Sequence, residues 1–211
     1  MLGKNEHPNG IALSRSELKA LALFREDYKK SIHVREIARR VGVDPSTILQ
    51  HLQKLVDLNV LTYSLAPKGK NKEYSLNLES LSTKYCMAEA EINTTFNFLQ
   101  HNYLISKVLS ELGNDLDGIT LLFGSYAKGT ATAKSDIDLF LISGRKVSES
   151  LIGEVSRTIG KDINIERATK NRFMESFSSN EPLTREVVGN HIILKGFDGF
   201  CDMMWHYFGG R

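Results

Sequence analysis

Between Leu121 and Ser143 the chain reads LLFGSYAKGTATAKSDIDLFLIS. An apolar run breaks at Gly124-Ser125, ten residues follow, and Asp136 and Asp138 flank Ile137 at the head of a second apolar run. Short apolar runs bounded by such breaks predict strands, here Ile119 to Phe123 and Ile137 to Ile142, with YAKG as a short helical turn between them. Residues two apart on a strand share a face, so the two carboxylates point the same way. Like charges side by side repel, and burying them is costly unless a positive charge sits between them. A divalent cation answers that need, and oxygen-only donors suit Mg²⁺ or Mn²⁺.

The rest of the C-terminal half supports a sheet around this feature. Leu151 to Ile159 reads as helix, and Asp162 to Arg167 alternates, with Ile163 and Ile165 on one face. Residues 170–177 and 181–190 read as helices, and His191 to Leu194 as a last strand. Strands alternating with helices predict a mixed sheet backed by helices. The tail FDGFCDMMWHYFGGR reads as an amphipathic helix that packs on the core or on a partner.

In 211 residues there is room for one large domain or two small ones. No apolar stretch approaches the roughly 20 residues a membrane span needs, and MLGKNEHPNG has no signal-peptide core. Cys86 and Cys201 form no metal or redox pattern and read as thiols of a reducing cytoplasm. Charge is uneven: residues 1–79 hold 13 Lys/Arg against 9 Asp/Glu, although the whole chain nets only +2. A basic N-terminal third is a mild nucleic-acid footprint.

That third has its own pattern. SRSELKALALFREDYKK carries Leu18, Leu21, Ala22 and Tyr28 at helical spacing, with Ser14 or Ser16 as cap. Val34, Ile37, Ala38 and Val41 predict a short amphipathic helix that Gly42 ends. Asp44 and Pro45 then open another, with Ile48, Leu52, Leu55 and Val56 as its buried stripe. LTYSLAPKGKNKEYSLN reads as strand, basic turn, strand: Leu61 to Leu65, a tip at residues 68–72, then Tyr74 to Leu76. Residues 11–79 thus closely resemble the winged helix-turn-helix domains of prokaryotic transcription regulators. The resemblance implies double-stranded DNA as partner. The second helix would offer Ser46, Thr47, Gln50, His51, Gln53 and Lys54 to the major groove. Arg39 and Arg40 (with Arg35) and the wing lysines Lys68, Lys70 and Lys72 would meet phosphates.

Residues 80–113 contain no Pro or Gly before Gly113. Leu81, Tyr85, Ala88, Ile92, Phe96, Leu99, Tyr103, Val108 and Leu112 recur every three to four positions, which predicts a long helix with a break near Asn102. Three roles stay open for it: a joint between domains, the contact face of a homodimer, or a core helix of the second domain.

The opening stretch closely resembles the nucleotidyltransferase superfamily with the DNA polymerase β-like fold, in its minimal prokaryotic, archaeal-type branch. The match rests on Gly124, Ser125, Ala127, Gly129, Ser135, Asp136 and Asp138 and covers residues 114–196. It implies an α+β chain with three parts: the winged helix-turn-helix over 1–79, a linking or dimerisation helix over 80–113, and a nucleotidyltransferase-like mixed sheet with helices over 114–211. It implies a nucleoside triphosphate held by Gly124, Ser125 and Lys128, and Mg²⁺ or Mn²⁺ on Asp136 and Asp138. The family uses a third carboxylate on a later strand. KDINIERA puts Asn164 in that place, and an amide cannot take a proton at neutral pH. Glu166 shares the face about 7 Å along, and Asp162 lies as far the other way; either could substitute, and Glu166 is the candidate catalytic base. Two functions follow. One is a DNA-binding transcriptional regulator whose nucleotidyltransferase-like domain binds Mg-nucleotide and is weakly active or inactive. The other is an active nucleotidyltransferase that modifies a protein or small-molecule acceptor. In that branch some members act as antitoxins on a helical toxin, so a toxin-like protein partner is implied by resemblance.

Overall fold

In the computed structural model, which describes residues 12–65 and 72–210, a capping box starts the first helix, α1 (Arg15–Ala22). The Ser14 amide donates to the Glu17 carboxylate at 2.8 Å, and the Glu17 amide donates back to the Ser14 hydroxyl. The apolar spacing runs on to Tyr28, but the helix does not. The amides of Leu23, Phe24 and Arg25 bond three residues back rather than four, tightening the chain into turns. Phe24 and Tyr28 are buried from those turns. Two residues then form β1 (Ile32–His33), followed by α2 (Val34–Val41) and α3 (Pro45–Asp57). Gly42 ends α2 at φ +85, a left-handed conformation that costs glycine little. Asp44 caps α3 by accepting from the amides of Ser46 and Thr47. The wing is β2 (Leu61–Leu65) antiparallel to β3 (Lys72–Leu76), with Tyr63 opposite Tyr74. β1 adds a third strand on the other side of β3. Lys68 and Lys70 lie outside the described residues.

The expected long helix is two: α4 (Leu81–His101) and α5 (Tyr103–Leu112), broken at Asn102 with φ −130 and ψ 67. The two halves pack differently. α4 lies with one face against α1, β7 (Ile192–Lys195) and α10 (Phe197–Tyr207). α5 packs on α7 (Glu149–Ile159) beneath the sheet.

The sheet runs β6-β5-β4-β7, with β4 (Ile119–Phe123), β5 (Ile137–Ile142) and β6 (Ile163–Ala168). β4 is antiparallel to both its neighbours, whereas β5 and β6 are parallel. Strand alternation separates two cores. Leu122, Leu139 and Leu141 face α5 and α7, with Ile105, Val108 and Val155. Leu121, Phe123, Phe140 and Ile193 face the other way, toward Phe173 of α8 (Lys170–Ser178) and Phe200 of α10. This second core continues without a break through Met87 and Ala90 of α4 into Leu21, Ile48 and Leu52 of the winged domain. The tail helix buries Met203, Met204 and Trp205 within it.

A buried ionic cluster crosses the same junction. Glu91 of α4 is fully buried. It accepts from Arg25 at 2.7 Å and contacts His191 Nε2 at 3.1 Å, while Arg25 also donates to the His191 carbonyl at 2.8 Å. Arg25 follows α1 and His191 precedes β7, so the winged domain, α4 and the sheet meet on one carboxylate. Removing an unpaired charge from water is costly, and three mutual partners offset that cost here.

Candidate functional site

The opening motif folds into strand, helical turn, strand. β4 ends at Phe123 and the chain turns at once into α6 (Gly124–Ala127). Gly124 sits at φ +67, and a Cβ there would overlap the Asp138 carboxylate. Glycine is therefore required both by conformation and by the close approach of this acid. The loop back to β5 is closed by the Thr130 amide on the Ser125 carbonyl at 2.9 Å and by the Thr132 amide on the Ser135 hydroxyl at 2.8 Å.

Asp138 lies within β5, in register with Phe123 on one side and Asn164 on the other. The Asn164 amide donates to Asp138 Oδ1 at 3.1 Å. Glu166 pairs with Phe140, two places along the same strand. Asp138, Asn164 and Glu166 line one cleft of about 520 Å³, together with Phe123, Ile152, Leu183 and Glu149. Sequence reasoning misses Glu149. It sits in the first turn of α7, where acids are common for helix-dipole reasons, so nothing marks it locally.

Asp136 is placed differently from the expectation that both acids sit on a strand. It precedes β5 by one residue, is exposed, and borders the adjoining depression with Lys134, Arg157 and Lys161. It remains close to the Gly-Ser turn: burial and the negative charge of Asp136 together push the Tyr126 hydroxyl pKa up. Lys128 is exposed and forms an ion pair with Glu186 at 2.6 Å. Asp162 gives its carbonyl to the Ile137 amide at 2.9 Å, joining the starts of β5 and β6. A second cavity of about 490 Å³, between the winged domain and the tail helix, contains none of these residues.

The donor chemistry fits one divalent ion. Among the described residues neither Asp136 nor Asp138 forms an ion pair, so two carboxylates stand without a cation. Among the described residues there is also no group of three or more His, Cys, Asp or Glu able to hold a metal. Mg²⁺ is often held by one or two carboxylates plus phosphate oxygens and water, which this set can supply. A second ion has no third carboxylate beside Asp138, because an amide N–H is there instead.

The winged-domain residues expected to meet DNA are largely engaged within the fold. Ser46 and Thr47 hydroxyls donate to Asp44, Thr47 at 2.7 Å. Arg39 and Arg40 both pair with Glu36, at 2.7 and 2.6 Å. His51 and Lys54 share Glu17, at 3.0 and 2.9 Å. Burial alone would raise the Glu17 carboxyl, but Lys54, His51 and the Ser14 amide outweigh it and hold the pKa at about 2. Gln53 bonds Asp57 at 2.8 Å. Gln50 and Arg35 are exposed on the same domain. Lys72 stands 3.9 Å over the Tyr63 ring at the base of the wing.

Comparison with known proteins agrees with both halves. The nucleotidyltransferase domain family matches residues 104–193, and the winged helix-turn-helix DNA-binding family matches residues 13–62. A search of curated proteins gave no match. One solved chain, described as "Crystal structure of the toxin-antitoxin with AMP-PNP", is similar at 18% identity and a TM-score of 0.36, over 49% of this chain and 82% of that one. A likeness this slight does not extend to ligand or partner. Among the described residues, no helix is long and apolar enough to cross a membrane. The chain is an α+β protein in which an N-terminal winged helix-turn-helix domain is fused to a nucleotidyltransferase domain.

Proposed function

We propose that this protein is a DNA-binding regulator whose nucleotidyltransferase domain binds a nucleoside triphosphate with a divalent cation and transfers nucleotide slowly or not at all. The observation that carries this reading is Asn164. It stands in register with Asp138 and donates to it, at the point where a third carboxylate would be needed.

On this reading Gly124 lets the triphosphate approach the backbone, and the Ser125 hydroxyl and amide donate to a phosphate oxygen. Lys128 exchanges its Glu186 partner for a phosphate. Asp136 and Asp138 hold the divalent ion, which supplies neutralisation of phosphate charge when bound. Asn164 keeps Asp138 oriented but accepts no proton, so an attacking hydroxyl finds no base at that position. On the winged domain, Gln50 with Ser46 and Thr47 meets base edges, and Arg35, Arg39, Arg40, Lys54 and Lys72 meet phosphates.

A second reading has one observation in its favour. Glu166 and Glu149 line the same cleft as Asp138, so a carboxylate other than residue 164 is available as base. Incubation with labelled nucleoside triphosphates and Mg²⁺, with and without copurifying proteins, separates the two. The first reading predicts slow labelling in the parent and a gain with Asn164→Asp, within the roughly 10²–10⁴-fold that positioned base catalysis supplies. Fast labelling in the parent, abolished in Glu166→Gln, would establish the second.

A further inference from the structure

Among the described residues, α4 buries one face and leaves the other uncovered. Thr83, Met87, Ala90, Glu91 and Thr95 point into the junction of the two domains. On the opposite side Leu81, Tyr85, Ile92 and Phe96, with Tyr103 just past the break, are between 51% and 82% exposed. Their spacing is +4, +7, +4, +7, which repeats every eleven residues. Eleven residues make almost three full helical turns, so along α4 the stripe runs nearly straight rather than winding round the helix. From Leu81 to Phe96 the stripe runs for about 22 Å along α4.

We propose that this stripe is the face on which a second copy of the chain docks. Area is the first argument. Large aromatic side chains each bury about 150–250 Å². At these exposures the five residues offer on the order of 600 Å² of apolar surface per chain, close to the roughly 800 Å² per partner of a standard interface. Charge is the second. The stripe contains no charged residue; Ser82, Glu89, Asn93 and Gln100 border one flank, and Lys84 on the other is paired with Asp202 at 2.6 Å. A partner selected by charge would find little to hold, whereas a copy of the same helix meets almost no like-charge opposition. This inference is independent of the nucleotide reading.

Sedimentation of the full chain tests it. The parent should be a dimer, and Tyr85→Glu with Phe96→Glu should weaken self-association about 100-fold or more, since truncated central aromatics are the costliest interface losses. Tyr85→Ser with Phe96→Ser, a gentler pair, should do the same while leaving the circular dichroism spectrum unchanged, because both side chains are exposed in the monomer. A parent that sediments as a monomer would overturn the proposal, and the stripe would then belong to a different protein. A dimer that survives either double substitution would overturn it too, because the contact would lie elsewhere.

Discussion

Asn164→Asp is the most informative single substitution, because it changes little in volume and inverts the chemistry beside Asp138. The hydrogen bond from the Asn164 amide to Asp138 Oδ1, 3.1 Å long, becomes two carboxylates at the same separation. A hydrogen bond to a charged acceptor contributes about 1.5–3 kcal/mol when well sheltered. Asn164 is exposed and Asp138 half-buried, so solvent lowers that figure toward its bottom end. Repulsion between the charges adds about 1 kcal/mol in a water-like surrounding and more in a drier one. Together they amount to roughly 2 kcal/mol in metal-free buffer. A chain of this length loses about 2–4 °C per kcal/mol, so the melt should fall by about 4–8 °C with chelator present. Mg²⁺ should reverse the loss in the variant far more than it stabilises the parent, because a cation now answers both charges. A ligand at about 100 times its dissociation constant adds roughly 2.7 kcal/mol. Scanning calorimetry with chelator and then with Mg²⁺ reads both effects. A variant that melts with the parent in chelator and ignores Mg²⁺ would refute the pairing of residues 138 and 164 and the weak-enzyme argument built on it.

Other consequences follow from named contacts. Glu91→Gln breaks the buried cluster and should cost roughly 3 kcal/mol at neutral pH, as broken buried pairs do. Burial alone would raise the Glu91 carboxyl, but the charges of His191 and Arg25 hold its pKa down at about 2 against an ordinary 4.5. A carboxylate depressed in the folded state stabilises above its unfolded pKa and loses that stabilisation as pH falls through the folded one. The gap between parent and Glu91→Gln should therefore close between about pH 4.5 and pH 2 in thermal melts. Glu186→Gln releases Lys128 from an exposed pair worth about 0.2–1 kcal/mol, so it should tighten triphosphate binding by up to about fivefold in calorimetry. Lys68→Ala, Lys70→Ala and Lys72→Ala combined should weaken duplex binding and flatten its salt dependence, by about one unit of slope for each phosphate that the wing no longer neutralises. An unchanged slope would remove the wing from DNA recognition.

Local features are readable in the sequence to the extent that one contact or one period controls them. Gly-Ser between two apolar runs forces strand, turn and strand, and β4 and β5 form over the expected residues. The alternation around Ile163 and Ile165 puts Asn164 on the face that Asp138 shares, but a two-residue slip keeps that face, so the position opposite Asp138 comes from the resemblance and from the ladder itself. β1 has no such signal, because two residues, Ile32 and His33, carry no period. Asp136 falls outside β5, since strand ends depend on which amide finds a partner; here the Ile137 amide finds the Asp162 carbonyl. Lys128 reads as a phosphate ligand on its own, but Glu186, 58 positions away, is its partner in the fold. The Arg25, Glu91 and His191 cluster spans 166 positions and leaves no local trace. Glu91 reads as one more charge on a helix until the fold buries it.

The most direct test is a calorimetric titration of ATP and GTP into the protein, with Mg²⁺ and then with chelator. Parallel titrations use Asp138→Asn and the double change Asp136→Asn with Asp138→Asn. The account predicts that the parent binds triphosphate only with the divalent ion, that both variants lose this binding, and that their circular dichroism spectra and cooperative melting match the parent. Equal binding by the parent and the folded double variant would show that these carboxylates hold no metal, and would contradict the account at its centre.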